Sequence, residues 1–194
     1  MEHPVEKPVK KIAYKKVEFE VVQRPDVLWV GCVDYAENNT DESDIQATLE
    51  RFQGLMEEIE EGTLEDTRQL MHPDWSGSLS INYCRDDKPC GILFGNETWS
   101  DKQDGHFDVF TQPGGLWLRV NNTKRTARRL LRKKKAEPYQ FFGQARAAAE
   151  VNGYMQNPDV PVEIEYHCHG EYNKKNHSNY AYIPIIEKVP NEKA

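Results

Sequence analysis

Alternating apolar and polar residues mark where the chain forms strands. At residues 17–22 valines and a phenylalanine alternate with glutamates, a period of two that is typical of a strand with one buried face. The Arg-Pro-Asp sequence at residues 24–26 favours a turn. The more apolar residues 27–33 follow, and they predict a second strand that places Trp29 in the core.

The pattern then changes to the period of a helix. Ser43 lies three residues before Gln46, which is the spacing of a capping box, and Gly62 supplies a stop. Between these signals, apolar residues recur every three or four positions and form one hydrophobic face. They are Ile45, Leu49, Phe52, Met56 and Ile59. The sequence therefore predicts a helix over about residues 43–61.

The same order of elements then begins again. Residues 79–83 and 91–94 predict two strands that complete the first unit. In the second unit, a helical region with apolar residues on one face ends at Gly153. The strands predicted for this second unit comprise residues 106–110, 116–120, 162–168 and 180–186.

This order predicts an α+β fold of two strand-helix-strand-strand repeats with pseudo-twofold symmetry around a ligand cleft, since a crevice between two halves is a common ligand site. The halves cover about residues 17–100 and 104–188, and together they form one domain over residues 17–188. A polar N-terminal tail at residues 1–16 and a C-terminal tail at residues 189–194 are expected on either side.

Composition narrows the class of protein. The 194 residues are 38% hydrophobic and 10% aromatic, which is enough for a core. A net charge of −7 argues against direct nucleic-acid binding, which uses a basic surface. No apolar run approaches the length of a membrane span, and the charged first residues lack the apolar stretch of a signal peptide. A cytoplasmic location without membrane binding is therefore expected.

The four cysteines show no CxxC pairing. The spacing of Cys84 and Cys90 would allow a disulfide across a hairpin, but free thiols are favoured in a chain of this size without an export signal. The chain also lacks the phosphate-binding glycine loop and the short motifs of metalloproteases, serine hydrolases and kinases. These enzyme classes therefore have no support in the sequence.

Three segments carry a resemblance to a known family. They are FEVVQRPDVLWVGC at residues 19–32, HFDVFTQPGG at residues 106–115 and YAYIPII at residues 180–186. In this order they resemble the opening strand-turn-strand, the Gly-containing turn of the second half and the closing strand of the GyrI-like effector-binding domains. The resemblance covers about residues 17–188.

The resemblance implies an aromatic-lined cleft that binds lipophilic, often cationic, small molecules. In many family members this domain is fused to a DNA-binding domain, for which the assigned residues leave no room here. We therefore expect a free-standing binding domain that acts by sequestration or sensing, and we predict no cofactor. Some free-standing relatives are hydrolases that open cyclopropane rings, which is the first alternative. The second is a SOUL-type heme-binding protein, because that family opens with a similar strand.

Aromatic side chains are the candidate ligand-binding groups. The faces of Trp and Tyr rings attract desolvated cations, and the polar ends of these side chains need partners when buried. For any single ring, ordinary core packing is the competing interpretation. The candidates are Trp29, Tyr83, Trp117, Tyr166 and Tyr182. No catalytic residue is assigned.

The sequence also bears on which acidic group anchors a ligand in the predicted cleft. The resemblance implies a buried glutamate, but Tyr180 stands four residues before Pro184. Either Glu163 or Glu165 supplies the carboxylate, or aromatic side chains alone anchor the ligand. These two glutamates alternate with Tyr166 and so lie on the opposite face of their strand. If buried, they would hold a cation or activate a water. We expect instead that Tyr166 faces the cleft and that the glutamates face solvent.

A histidine-rich stretch close to this strand invites a metal interpretation. His167 and His169 flank Cys168, and Glu171 or His177 could complete a site. No second pair of ligands accompanies them elsewhere in the sequence, and no metal site is predicted.

A basic run extends from Lys124 to Lys135 and holds eight Lys or Arg residues without an acid. We interpret it as the solvated face of a surface helix whose Ala127, Leu130 and Leu131 turn inward. The alternative is a docking surface for an acidic protein partner.

Overall fold

The computed structural model of the chain is an α+β structure dominated by one large antiparallel sheet. The ranges that it describes are 6–36, 42–63, 71–82, 88–100, 102, 105–131, 141–168 and 176–188. Within these ranges the strands are β1 (Lys7–Tyr14), β2 (Val17–Arg24), β3 (Val27–Ala36), β4 (Met71–Ile81), β5 (Cys90–Thr98), β6 (Asp108–Gln112), β7 (Gly115–Thr123), β8 (Tyr154–Gln156), β9 (Val162–Cys168) and β10 (Asn176–Glu187). The helices are α1 (Glu42–Glu61), α2 (Lys124–Leu131) and α3 (Phe141–Val151).

The strand order relates the first part of the chain to the second. The order is β1-β2-β7-β10-β9-β4-β5-β3-β6, and β8 pairs with β10. Exchanging β2, β3, β4 and β5 with β6, β7, β9 and β10 leaves the order from β2 to β6 unchanged. The sequence RPDVLWV at residues 24–30 also aligns with QPGGLWL at residues 112–118, with Pro, Leu and Trp in common. Trp29 and Trp117 therefore occupy corresponding places on β3 and β7.

β2 and β3, which are neighbours in sequence, each pair with a strand from the second part of the chain. β2 pairs with β7, and β3 pairs with β6, so the turn after β2 meets the turn after β6. The backbone N–H of Gly114 donates to Asp26 Oδ1 at 2.6 Å. A Cβ at Gly114 would lie 2.8 Å from the carbonyl carbon of Pro25, so glycine is needed where the two turns touch. This contact fixes the relative positions of Arg24 and Gln112, the last residues of β2 and β6.

The sheet carries its helices on one face and the cluster with Trp29, Trp117, Tyr166 and Tyr182 on the other. α2 and α3 cover a core that includes Phe19, Leu118 and Ile183. α1 packs over Val30, the residue that corresponds to Leu118. Following the paired residues from β7 to β3 places Trp29 and Trp117 together on the opposite face. The helices pack on the first face only, and the residues of the second face form a separate cluster.

The N-terminal residues correct the sequence interpretation. Residues 1–16 were expected to be a polar tail, but Lys7–Tyr14 forms β1 and pairs with β2 in antiparallel register. β1 is an edge strand in which Ile12 is buried and the lysines are exposed, so it shows little apolar alternation. Its stability comes from backbone pairing, which composition does not reveal. The predicted C-terminal tail at residues 189–194 lies outside the described residues.

Elsewhere the structure extends or divides the predicted elements. β4 begins at Met71, well before the predicted residue 79, and the second helical region consists of α2 and α3. The predicted helix over residues 43–61 coincides with α1 within one residue. Among the described parts of the chain, no helix is long and apolar enough to cross a membrane.

Candidate functional site

Four of the five candidate aromatic residues lie together on the helix-free face. Trp29, Trp117, Tyr166 and Tyr182 are all buried and belong to one cluster. The ring centroids of Trp29 and Tyr166 are 5.1 Å apart, and those of Tyr166 and Tyr182 are 5.2 Å apart. The inclined rings suit edge-to-face contacts. The fifth candidate, Tyr83, lies outside the described residues.

A guanidinium group occupies the space between these rings. The Arg24 Cζ atom lies 5.8 Å from the ring centroid of Trp117, 4.9 Å from that of Tyr166 and 4.6 Å from that of Tyr182. We call these three rings the aromatic cage. The Arg24 side chain is 1% exposed, so its charge is almost completely removed from water. Cation–aromatic attraction is strongest for such a desolvated cation.

Glu97 on β5 supplies the opposite charge. It is buried, and its register partner on β3 is Trp29, which places it on the aromatic face. The Tyr166 hydroxyl donates to Glu97 Oε1, and Arg24 Nη2 donates both to the Tyr166 oxygen and, at 3.4 Å, to Glu97 Oε1. Burial raises the pKa of Tyr166 well above its usual range, so the phenol keeps the proton that it donates. The buried acidic group beside the aromatic side chains is thus Glu97.

A second group of charged side chains lies next to Arg24. Glu6, immediately before β1, forms ion pairs with Arg24 Nε at 3.2 Å and with Arg119 Nη1 at 2.8 Å. Arg119 also donates from Nε to Glu20 Oε2 at 3.0 Å and lies over the ring of Tyr180, 5.1 Å from its centroid. The residue before the first strand therefore contributes directly to the surroundings of Arg24.

Gln112 holds the second tryptophan. Trp29 Nε1 donates to Gln112 Oε1 at 3.2 Å, and Gln112 is completely buried. Gln112 is the residue that corresponds to Arg24 in the aligned segments, so equivalent strand ends place different polar groups beside the two tryptophans. Arg24 Nη1 and Gln112 Nε2 are buried donors for which the described residues supply no hydrogen-bond acceptor.

Glycines make room for the Trp29 ring. Gly31, Gly95 and Gly77 are in register across β3, β5 and β4. A Cβ at Gly77 would lie 3.1 Å from Trp29 Cη2 and 2.5 Å from the carbonyl oxygen of Glu165. The absence of a side chain at Gly77 therefore leaves room for the end of the indole ring.

The glutamates of β9 lie on the other face, as strand parity predicts, but the expectation of solvent exposure was wrong for Glu163. Its side chain is 2% exposed and pairs with Arg146 of α3, while Gln156 donates to the same oxygen at 3.5 Å. Glu165 is partly buried beside Asn122. Helix α3 covers this face, and strand periodicity alone does not show that cover. Neither glutamate can therefore anchor a ligand among the cage rings.

Burial gives Glu163 a distinctive protonation equilibrium. Desolvation raises its pKa to about 7 from 4.5, although Arg146 and Gln156 oppose the shift. The folded chain therefore holds a proton that the unfolded chain has released between pH 4.5 and 7. The resulting stability is fully present below pH 4.5 and is lost as the pH rises through 7.

The first prediction follows from this equilibrium. The free energy of unfolding of the wild type should fall by about 2–3 kcal/mol between pH 4.5 and 7.5 because of Glu163. The Glu163→Gln variant should not show this fall. Urea unfolding at a series of pH values measures it. Glu150→Gln, whose side chain is 72% exposed, serves as the control and should follow the wild type. Parallel profiles for wild type and Glu163→Gln would contradict the assignment.

Several other predicted features can be placed. Cys32 and Cys90 are free thiols, so the hairpin disulfide does not form. The side chains of His167 and Cys168, and residue His169, lie outside the described part, within which no group of three or more potential metal ligands occurs. On α2, Ala127 and Leu130 are buried. The arginines Arg125, Arg128 and Arg129 of this helix are exposed.

Sequence reasoning missed the polar members of the site. Arg24, Glu97, Gln112 and Glu6 were not candidates, since charged and amide residues beside turns usually face solvent. The signal that could have found two of them is the alignment of RPDVLWV with QPGGLWL. That alignment places Arg24 and Gln112 at matching positions five residues before the two tryptophans.

Comparison with solved structures shows what the fold resembles. The structure of SAV2435 bound to tetraphenylphosphonium matches with a TM-score of 0.53 at 10% identity, covering 88% of this chain and 93% of that one. A putative bacterial transcription regulation protein from Staphylococcus aureus MU50 matches with a TM-score of 0.50 at 13% identity, covering 89% and 99%. EcmrR in its DNA complex matches with a TM-score of 0.50 at 12% identity, covering 88% of this chain and 57% of that one.

At these identities the likeness shows the fold alone. No protein-family model matches the sequence, and no curated protein matches it at a significant level. The observed architecture agrees with the α+β class that the order of predicted elements indicated.

Proposed function

We propose that this chain is a binding domain for lipophilic cations, with the aromatic cage and Glu97 as its site. The observation that carries the proposal is the position of the Arg24 guanidinium between Trp117, Tyr166 and Tyr182, with a buried carboxylate beside it. A delocalised, weakly hydrated cation is stabilised there by several ring faces and by one negative charge. The same chemistry would receive an organic cation of similar charge distribution.

The energies involved are sufficient for binding. Each cation–aromatic contact contributes about 0.5–2 kcal/mol when the cation is desolvated. Burial of the apolar surface of a drug-sized ligand adds about 25 cal/mol per Å². Together these contributions reach the roughly 8 kcal/mol that a micromolar dissociation constant requires.

The proposal includes the arrangement of the two halves. We infer that residues 17–100 and 104–188 are related by a pseudo-twofold axis with the site between them, and that the domain acts by sequestration or sensing. Support comes from the strand order, which is unchanged by exchanging the halves, and from the matching positions of Trp29 and Trp117. The fold shared with SAV2435, whose structure contains tetraphenylphosphonium, supports the choice of ligand class.

Tetraphenylphosphonium is the probe for this proposal. We expect it to bind with micromolar affinity by isothermal titration calorimetry and to raise the thermal midpoint. Tyr182→Leu removes the ring nearest to the guanidinium and keeps an apolar side chain, so binding should weaken at least about tenfold, or 1.4 kcal/mol. Tyr35→Leu replaces a tyrosine that is 53% exposed and should bind as the wild type does.

Two results would count against the proposed function. The first is an absence of heat and of any thermal shift with tetraphenylphosphonium and with other lipophilic cations. The second is equal binding by wild type, Tyr182→Leu and Tyr35→Leu, which would place the ligand away from the cage. Circular dichroism spectra confirm that each variant is folded before titration.

A further inference from the structure

We propose that Arg24 is an internal competitor for the ligand, a side chain that fills the cation position of the aromatic cage and so sets which ligand charge the cleft accepts. The inference rests on the proposed function and adds a specificity-determining residue to it. The residue concerned is the one enclosed by the aromatic cage, not one of the three residues whose rings form it.

The first step is that the cage cannot hold two cations. The Arg24 Cζ atom lies between 4.6 and 5.8 Å from all three ring centroids, which is the position that an organic cation would need. A second positive charge among the same rings would be repelled by the guanidinium in a region from which water is excluded. An incoming cation therefore has to displace Arg24.

The second step is that Arg24 and an incoming cation would share the same counter-charge. Glu97 Oε1 lies 3.4 Å from Arg24 Nη2 and accepts the hydrogen bond of Tyr166. When Arg24 leaves, Glu97 remains to balance the ligand, and the charge of the cage is unchanged. Glu6, 3.2 Å from Arg24 Nε and bonded to the partly exposed Arg119, offers the departing guanidinium an acceptor at the edge of the site.

The third step is that the fold does not itself require arginine at this position. The residue that corresponds to Arg24 in the other half is Gln112, a neutral side chain that is also fully buried and hydrogen-bonded to Trp29. Both residues end a strand and precede a proline turn. The strand end therefore accepts a neutral amide, and the positive charge of Arg24 is a property of this half alone.

The test uses two probes of the same shape and opposite charge, tetraphenylphosphonium and tetraphenylborate. Calorimetric titration compares the wild type with Arg24→Gln, which copies the other half, and with Arg24→Lys, which keeps the charge. Arg24→Gln should bind tetraphenylphosphonium at least about tenfold more tightly than the wild type and tetraphenylborate no more tightly. Arg24→Lys should stay within about threefold of the wild type for both probes.

A second variant guards against the instability that an unpaired Glu97 would cause. Arg24→Gln combined with Glu97→Gln leaves the cage without a net charge, and a buried ion pair is often replaced without loss of folding. This double variant should bind the two probes with affinities within about threefold of each other.

The outcomes separate the two proposals. Equal tetraphenylphosphonium affinity in wild type and Arg24→Gln, or a wild-type ratio of the two probes in the double variant, would overturn the role of Arg24 and leave the binding function standing. Binding of tetraphenylphosphonium that is at least about tenfold tighter in Arg24→Gln than in the wild type would support the inference. If the wild type and all the variants failed to bind tetraphenylphosphonium, both proposals would fall.

Discussion

Replacing Glu97 by leucine is expected to lower the free energy of unfolding by about 3 kcal/mol or more. Glu97 is buried beside the Arg24 guanidinium, and its removal leaves that cation without its nearest buried carboxylate. Breaking a buried ion pair from one side costs about 3–5 kcal/mol, since the remaining charge stays desolvated. The Tyr166 hydroxyl also loses its acceptor. Urea unfolding followed by tryptophan fluorescence measures the loss.

The second half of a double-mutant cycle distinguishes an ion pair from simple packing. Arg24→Met combined with Glu97→Leu should recover to within about 1 kcal/mol of the wild type, because apolar residues of similar volume often replace a buried pair without loss. Glu57→Leu, at an exposed position of α1, should change stability by less than about 0.5 kcal/mol. If the double variant is as unstable as the sum of the two single ones, Arg24 and Glu97 do not act as a pair.

Gly95→Ala should be strongly destabilising for a purely steric reason. A Cβ at Gly95 would lie 2.2 Å from the carbonyl oxygen of Val30 on β3, and a carbonyl in the centre of a sheet cannot move aside. Overpacking of this kind costs about 1–3 kcal/mol, and we expect the upper end of that range. Because the row of glycines also positions Trp29, the indole fluorescence should shift as well.

Gly54→Ala is the matched control. Gly54 lies within α1, where an added Cβ would meet no atom within 4 Å. Alanine favours the helix, so this variant should gain about 0.5–1 kcal/mol. Thermal and urea unfolding should show a loss of stability for Gly95→Ala and a gain of stability for Gly54→Ala. A Gly95→Ala variant as stable as the wild type would show that β3 and β5 are farther apart than described.

The sequence predicted elements where periodicity matches one buried face. The alternation at residues 17–22 and the period of 3.6 residues in α1 both correspond to observed elements, because each face packs against a single layer. β1 was not predicted because its lysines are exposed and the strand is held in the sheet by backbone pairing with β2. Strands that pair can lie far apart in sequence or lack an apolar pattern. Hydrophobic periodicity alone therefore does not identify which strands pair.

The site was predictable in its aromatic part and hidden in its polar part. Trp29, Trp117, Tyr166 and Tyr182 converge because period-two strands direct large side chains to one face. Glu97 gives no such signal, since a glutamate near the end of a strand usually reaches solvent. Its burial depends on Arg24, which comes from a different part of the chain. Mutual compensation of two buried charges is a tertiary property.

For Glu163 the sequence predicted the direction of the side chain but not its burial. Strand parity correctly separated it from Tyr166, but exposure depends on whether a helix covers that face. α3 does cover it, and Arg146 pairs with the carboxylate there. The direction of a side chain can thus be read from the strand, whereas its environment requires the packing of layers.

A crystal structure with tetraphenylphosphonium tests most directly whether the aromatic cage around Arg24 is the ligand site. We expect the phosphonium within about 6 Å of the ring centroids of Trp117, Tyr166 and Tyr182. The Arg24 guanidinium should have left the cage, and Glu97 should face the ligand. A ligand bound at another surface, with Arg24 still enclosed by the three rings, would contradict the account.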